Sequence, residues 1–204
     1  MVEAEHGTAR TRLTKRDLEI ARWLERVGIA EAEQVARRFE LWPSKAYARL
    51  RALSARGLVV HERVLYGRPG VYRPPGRRVR PALYEHELAV TDLTVERELR
   101  GERTLTEREL RQAGARWTVG RDGSRHTPDL AVPEAARAYE VERSSKGARR
   151  RRRILAAYAQ SPTYDRVVYR VFDPRLPELI EREADDEGAG GIVAVELEGE
   201  GGHP

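Results

Sequence analysis

The 204-residue chain contains no cysteine, one methionine and two phenylalanines, and aromatic residues make up 6% of it. Without cysteine there is no disulfide scaffold, no thiolate zinc finger and no thiol nucleophile. No apolar run approaches the ~20 residues that span a bilayer. The start, Met1-Val2-Glu3-Ala4-Glu5, lacks the basic-then-apolar pattern of a secretory signal. The expectation is a soluble, cytoplasmic protein with no membrane partner. Lysine is scarce too: of 38 basic residues only Lys15, Lys45 and Lys146 are lysines. That skew reflects a GC-rich genome more than a chemical need.

What the chain has in abundance is charge. Charged residues are 35% of the sequence, against 40% hydrophobic, which still suffices for a core. The charge is unevenly divided. Residues 1–80 carry 18 basic and 9 acidic side chains, and residues 81–204 carry 20 and 24. A basic front half points to a polyanionic partner, nucleic acid first. A membrane surface ranks second, because no amphipathic helix with a bulky apolar face supports it.

In the front half, Thr14 and Asp17 form a capping box. Ile20, Ala21, Leu24 and Val27 then recur at helical spacing until Gly28. A second short helix is predicted over residues 31–39, with Val35 and Phe39 inward. Trp42-Pro43 introduces a third over residues 44–53, ending before Gly57. Residues 58–65 and 71–74, on either side of Gly67-Arg68-Pro69-Gly70, predict a β-hairpin. Helix, helix, helix and hairpin in this order resembles a winged helix-turn-helix. The resemblance implies that Ala46, Leu50 and Leu53 pack inward while Ser44, Lys45, Tyr47 and Arg51 face the major groove of double-stranded DNA. Arg68 at the hairpin tip, with Arg73, Arg77 and Arg78, would hold phosphates. Binding of this kind requires no cofactor. The domain is expected over residues 1–74, followed by a basic Pro/Gly linker at 75–81.

The back half, residues 82–197, predicts an α/β domain of three layers (α+β for the chain as a whole), with a tail at 198–204. Residues 82–100 are helical, with Leu83, Val90, Leu93 and His86 on one stripe. A histidine there is more often a core or boundary residue than a ligand. Residues 103–110 suit a strand or a short helix equally. Residues 117–119 suggest a strand end, 120–124 a turn, and 128–132 a short strand. Residues 137–143 alternate strictly, with Tyr139 and Val141 on one face and Glu140 and Glu142 on the other. A helix carrying five arginines, 149–153, follows. Then come an apolar central strand at 166–172, an acidic exposed helix at 174–187 and a last strand at 192–197.

His126-Thr127-Pro128-Asp129, followed by Tyr139-Glu140-Val141-Glu142-Arg143-Ser144-Ser145-Lys146, resembles the PD-(D/E)xK nuclease-like core. With Leu83-Tyr84-Glu85-His86-Glu87-Leu88 included, the chain from Leu13 to Phe172 resembles the replication-relaxation proteins of plasmids and integrative elements. The nuclease resemblance implies Mg²⁺ or Mn²⁺ between Asp129 and Glu140, with Glu142 and Lys146 as further catalytic candidates and Glu87 as an additional acid. Such a metal would polarise a phosphodiester and generate hydroxide. The sequence departs from the pattern at Glu142, where the family has Lys; Lys146 lies four residues on. The alternative is that arginines of 149–153 neutralise these acids in a structural network. The favoured expectation is double-stranded DNA binding, as an accessory factor in replication, mobilisation or transcription of a plasmid or mobile element. A metal-dependent DNA endonuclease is the second expectation. The third is a module that docks a replisome or relaxase protein.

Overall fold

A computed structural model describes residues 13–63, 68–114, 119, 125–144 and 147–198. The chain divides between Arg78 and Val79 into two compact units. Among the described residues, no helix is long and apolar enough to cross a membrane.

The first unit runs α1 (Lys15–Val27), β1 (Ala30–Glu31), α2 (Ala32–Arg38), α3 (Pro43–Ala55), β2 (Val60–Glu62) and β3 (Val71–Arg73). Thr14 and Asp17 cap α1 reciprocally, each side chain bonding the other's backbone N–H. Asp17 also accepts from Arg49 at 2.9 Å, which ties α1 to α3. Although burial works against ionisation, the Thr14 and Arg49 hydrogen bonds hold its carboxyl below the usual range. The α1 stripe buries Ile20, Trp23, Leu24 and Val27, and Trp23 meets Phe39 of the next segment edge to face at 5.8 Å. Val35 and Phe39 are both buried. The hairpin forms as β2 against β3, and β1 adds to the other edge of β3, giving an antiparallel order β1-β3-β2. β1 is too short to show as an alternating run, so the sequence pattern did not reveal it.

Gly28 ends α1 at φ 88°, in the region that favours glycine. A Cβ there would lie 2.0 Å from the Arg77 guanidinium carbon. Arg77 therefore lies against the C-terminus of α1, where the helix dipole favours a cation. Arg73 donates to Glu62 across the hairpin at 2.7 Å and to the Arg77 carbonyl at 2.6 Å. Both arginines, expected on phosphates, brace the first unit instead.

The second unit runs α4 (Tyr84–Leu99), β4 (Leu105–Thr106), α5 (Glu107–Gln112), β5 (Leu130–Val132), β6 (Arg137–Glu142), α6 (Ala148–Ala159), β7 (Arg166–Val171), α7 (Leu176–Asp186) and β8 (Val193–Leu197). The ambiguous segment at 103–110 is both things at once. Leu105 and Thr106 pair with β5, and Thr106 then caps α5. The sheet order is β4-β5-β6-β7-β8, antiparallel as far as β6 and parallel from there to β8.

Strand alternation builds two cores. On one face Leu130, Val132, Tyr139, Val141 and Val168 meet Ala89 and Leu93 of α4. On the other, Ala131, Ala138, Val167, Tyr169 and Val171 meet Leu110 of α5, Leu155 and Tyr158 of α6, and Leu176, Ile180 and Ala184 of α7. The unit is thus helix, sheet, helix. Two expectations are corrected. Leu83, placed on the core stripe, sits in a short 3-10 turn before α4 and is 44% exposed, with Tyr84 buried in its stead. The helix taken as exposed, α7, buries Leu176, Ile180 and Ala184 at i, i+4, i+8, so its acids occupy mainly the opposite side.

Candidate functional sites

In the first unit, α3 buries Ala46, Leu50 and Leu53. Ser44, Lys45, Tyr47 and Arg51 are exposed. The helix contains no Asp or Glu, so its exposed face carries cations without carboxylates of its own. Trp42 at its entrance is 79% exposed. Burial raises the Tyr72 hydroxyl of β3, and the positive charge of Arg51 acts against that rise. Arg68 and Arg78 are exposed.

In the second unit, a cavity of about 570 Å³ is lined by Asp129, Glu140 and Glu142 together with His86, Glu87 and Glu107 among others. The positions follow from register. Leu130 pairs with Tyr139, so Asp129, one residue earlier, falls beside Glu140 and Val141. The Val141 N–H donates to Asp129 Oδ2 at 2.8 Å. Glu140 and Glu142 share a face, as the alternation predicts. Lys146 lies outside the described residues.

The groups that meet these acids are histidines. His86 Nε2 lies 3.3 Å from Asp129 Oδ1, and His126 Nε2 lies 2.7 Å from Glu140 Oε1. The Tyr158 hydroxyl donates to the same Glu140 oxygen. Burial pushes Glu140 and Glu142 up from the usual carboxylate range, and Asp129's charge adds to it. Burial alone would lower both histidines, but the carboxylates outweigh it. Asp129 raises His86, and Glu140 raises His126. Of the arginine run, Arg150 and Arg151 line the cavity and favour the charged form of Glu142, although the ion pairs of Arg151 go to α7. Arg151, 2% exposed, forms a two-point pair with Glu183 of α7 at 2.6 and 3.0 Å. Arg152 reaches Glu183, Asp186 and Glu187.

Sequence reasoning missed His126 although it stands three residues before Asp129, and it left His86 as a core residue. His126 lies outside β5, in an isolated bridge with Val119, and its ring reaches Glu140 from there, so no strand period in the sequence signals it. Nothing in the α4 periodicity separates His86 from a core position. Two further cavity-lining groups, Arg151 Nη1 and the Tyr169 hydroxyl, are buried with no hydrogen-bond partner. Among the described residues, no trio of His, Asp or Glu side chains is gathered as a metal-holding group. Compared with known proteins, the chain matches no family model and no curated relative.

Proposed function

We propose that the first unit is a winged helix-turn-helix that binds double-stranded DNA, with α3 in the major groove. The observation that carries this reading is the carboxylate-free outer face of α3, with Ser44, Lys45, Tyr47 and Arg51 exposed opposite a fully apolar inner face. A three-helix unit with a three-stranded sheet and a hairpin after the third helix supports it. Groove contacts from α3 would specify sequence, and Arg68 and Arg78 remain as phosphate contacts. The motif resemblance of the chain favours an accessory role in replication, mobilisation or transcription of a mobile element. The test is anisotropy of a fluorescein-labelled duplex across a salt series. Lys45→Glu with Arg51→Glu should weaken binding at least tenfold, and Arg68→Glu with Arg78→Glu should flatten the salt slope by about two, since each phosphate neutralised contributes close to one. Unchanged affinity and slope would remove the reading and favour docking of a protein partner through Trp42 and Tyr47.

A second reading, a PD-(D/E)xK-like endonuclease, is favoured by one observation: Asp129, Glu140 and Glu142 line a single cavity. Their hard oxygen donors suit Mg²⁺ or Mn²⁺; burial above all, with Asp129's charge added, raises Glu140 and Glu142, and a cation would offset both. Asp129 and Glu140 would hold the ion, with Glu142 beside them in the cavity, and it would supply Lewis-acid activation of a phosphodiester. His86 and His126 would have to release the carboxylates first. The partnerless Arg151 Nη1 and Tyr169 hydroxyl would then be donors for a phosphate oxygen, in the cavity where the family pattern has Lys. Supercoiled plasmid incubated with Mg²⁺, Mn²⁺ or EDTA decides this reading. Metal-dependent nicking that Asp129→Asn abolishes, with duplex affinity unchanged, supports it; intact plasmid in every lane removes it.

A further inference from the structure

Four of the five arginines of α6 divide into two groups. Arg151 and Arg152 are committed to the acids of α7. Arg150 and Arg153, one turn apart and both exposed, turn instead toward a recess of about 410 Å³ whose walls also include Arg111, Arg125 and Thr127. The recess has one acid in its lining, Glu107, which pairs with Arg111. Four guanidinium groups around one concavity repel each other unless an anion lies among them. The recess also adjoins the acidic cavity: Glu107, Arg150 and Ile154 line both.

We infer that this recess is a second nucleic-acid site, one that holds the phosphates of a single strand and lies on a different unit from α3. Arginine suits this ligand because its planar fork bonds phosphate oxygens in pairs. The Thr127 hydroxyl in the recess lining offers a neutral donor beside the four guanidinium groups. The strand entering the recess passes Arg150 and so comes to the mouth of the cavity of Asp129 and Glu140. The inference depends neither on α3 binding duplex nor on a metal at those carboxylates.

The experiment uses the full chain and a 5′-fluorescein 20-nucleotide single strand, followed by anisotropy. Lys45→Glu with Arg51→Glu serves as the background in which α3 no longer contributes. In that background Arg150→Glu with Arg153→Glu should weaken binding at least tenfold and reduce the salt slope by about 1.4, at roughly 0.7 per phosphate on a single strand. The milder Arg150→Gln with Arg153→Gln should move both quantities in the same direction while leaving the melting temperature in place. Arg166→Glu with Arg182→Glu, a pair of exposed arginines elsewhere on the unit, makes the same charge change and should have less than a threefold effect. Equal losses from the two glutamate pairs would reduce the effect to overall charge and overturn the inference. So would an unchanged slope in the Arg150/Arg153 variants, or displacement of the strand by inorganic phosphate at matched ionic strength. If the recess variants lose the strand while Lys45→Glu with Arg51→Glu leaves duplex affinity intact, the reading of α3 fails and this one stands.

Discussion

Glu183→Gln tests whether α6 is held in place by a buried ion pair. Arg151 and Glu183 are each 2% exposed and joined at two points, so neither charge is screened by water. Glutamine keeps the shape but removes the charge and turns an N–H₂ toward a guanidinium that can only donate. The remaining cation is then buried without a counter-charge; Arg152, 3.7 Å from the same carboxylate, loses part of its own partner set. Removing one member of a buried pair costs about 3–5 kcal/mol. For a unit of this size that corresponds to a fall of about 10 °C or more in its melting temperature. Thermal and urea unfolding followed by circular dichroism would show it as a shift in the transition of the second unit alone. Arg151→Met with Glu183→Leu should regain most of the loss, because an apolar pair of similar volume carries no desolvation penalty. A Glu183→Gln cost under ~1 kcal/mol, the range of exposed pairs, would refute the reasoning.

His86 and His126 are both raised above their usual 6.5 by carboxylates. Their stabilisation is therefore complete below that value and lost as pH rises through the higher folded-state values. The urea midpoint of the second unit should fall as pH rises above about 6.5, and His126→Gln should flatten that fall; a midpoint rising with pH would contradict the pairing. Asp17→Ala removes both the α1 capping box and the partner of Arg49, and should cost about 1–2 kcal/mol in urea unfolding of the first unit. If Mg²⁺ takes Asp129 and Glu140, it competes with the two imidazoles. Titration followed by histidine NMR should then lower the pKa of His86 and His126, and Asp129→Asn should abolish the change; static histidine signals would remove the metal from that cavity.

The order of elements in the first unit was legible because each signal was local. Thr14 and Asp17 cap within one turn, Gly28 takes a conformation other residues avoid, and Ala46, Leu50 and Leu53 repeat along one helix face. In the second unit, the alternation from Arg137 to Glu142 placed Tyr139 and Val141 on one face and Glu140 and Glu142 on the other without any knowledge of neighbouring strands. A period of two is set by the backbone itself. What tertiary structure alone decided was the choice of partner for each charge. Arg73 and Arg77 resemble any other cation in a basic segment, yet one bonds Glu62 across the hairpin and the other fills the space beside Gly28. The arginine run reads as uniform until α7 claims Arg151 and Arg152 and leaves Arg150 and Arg153 to the recess. Asp129 and Glu140 found histidines from α4 and from the segment before β5, 43 and 14 residues away in sequence. Periodicity fixes which way a side chain points; which opposite charge it meets depends on contacts between segments distant in the chain, and those exist only once the sheet has assembled.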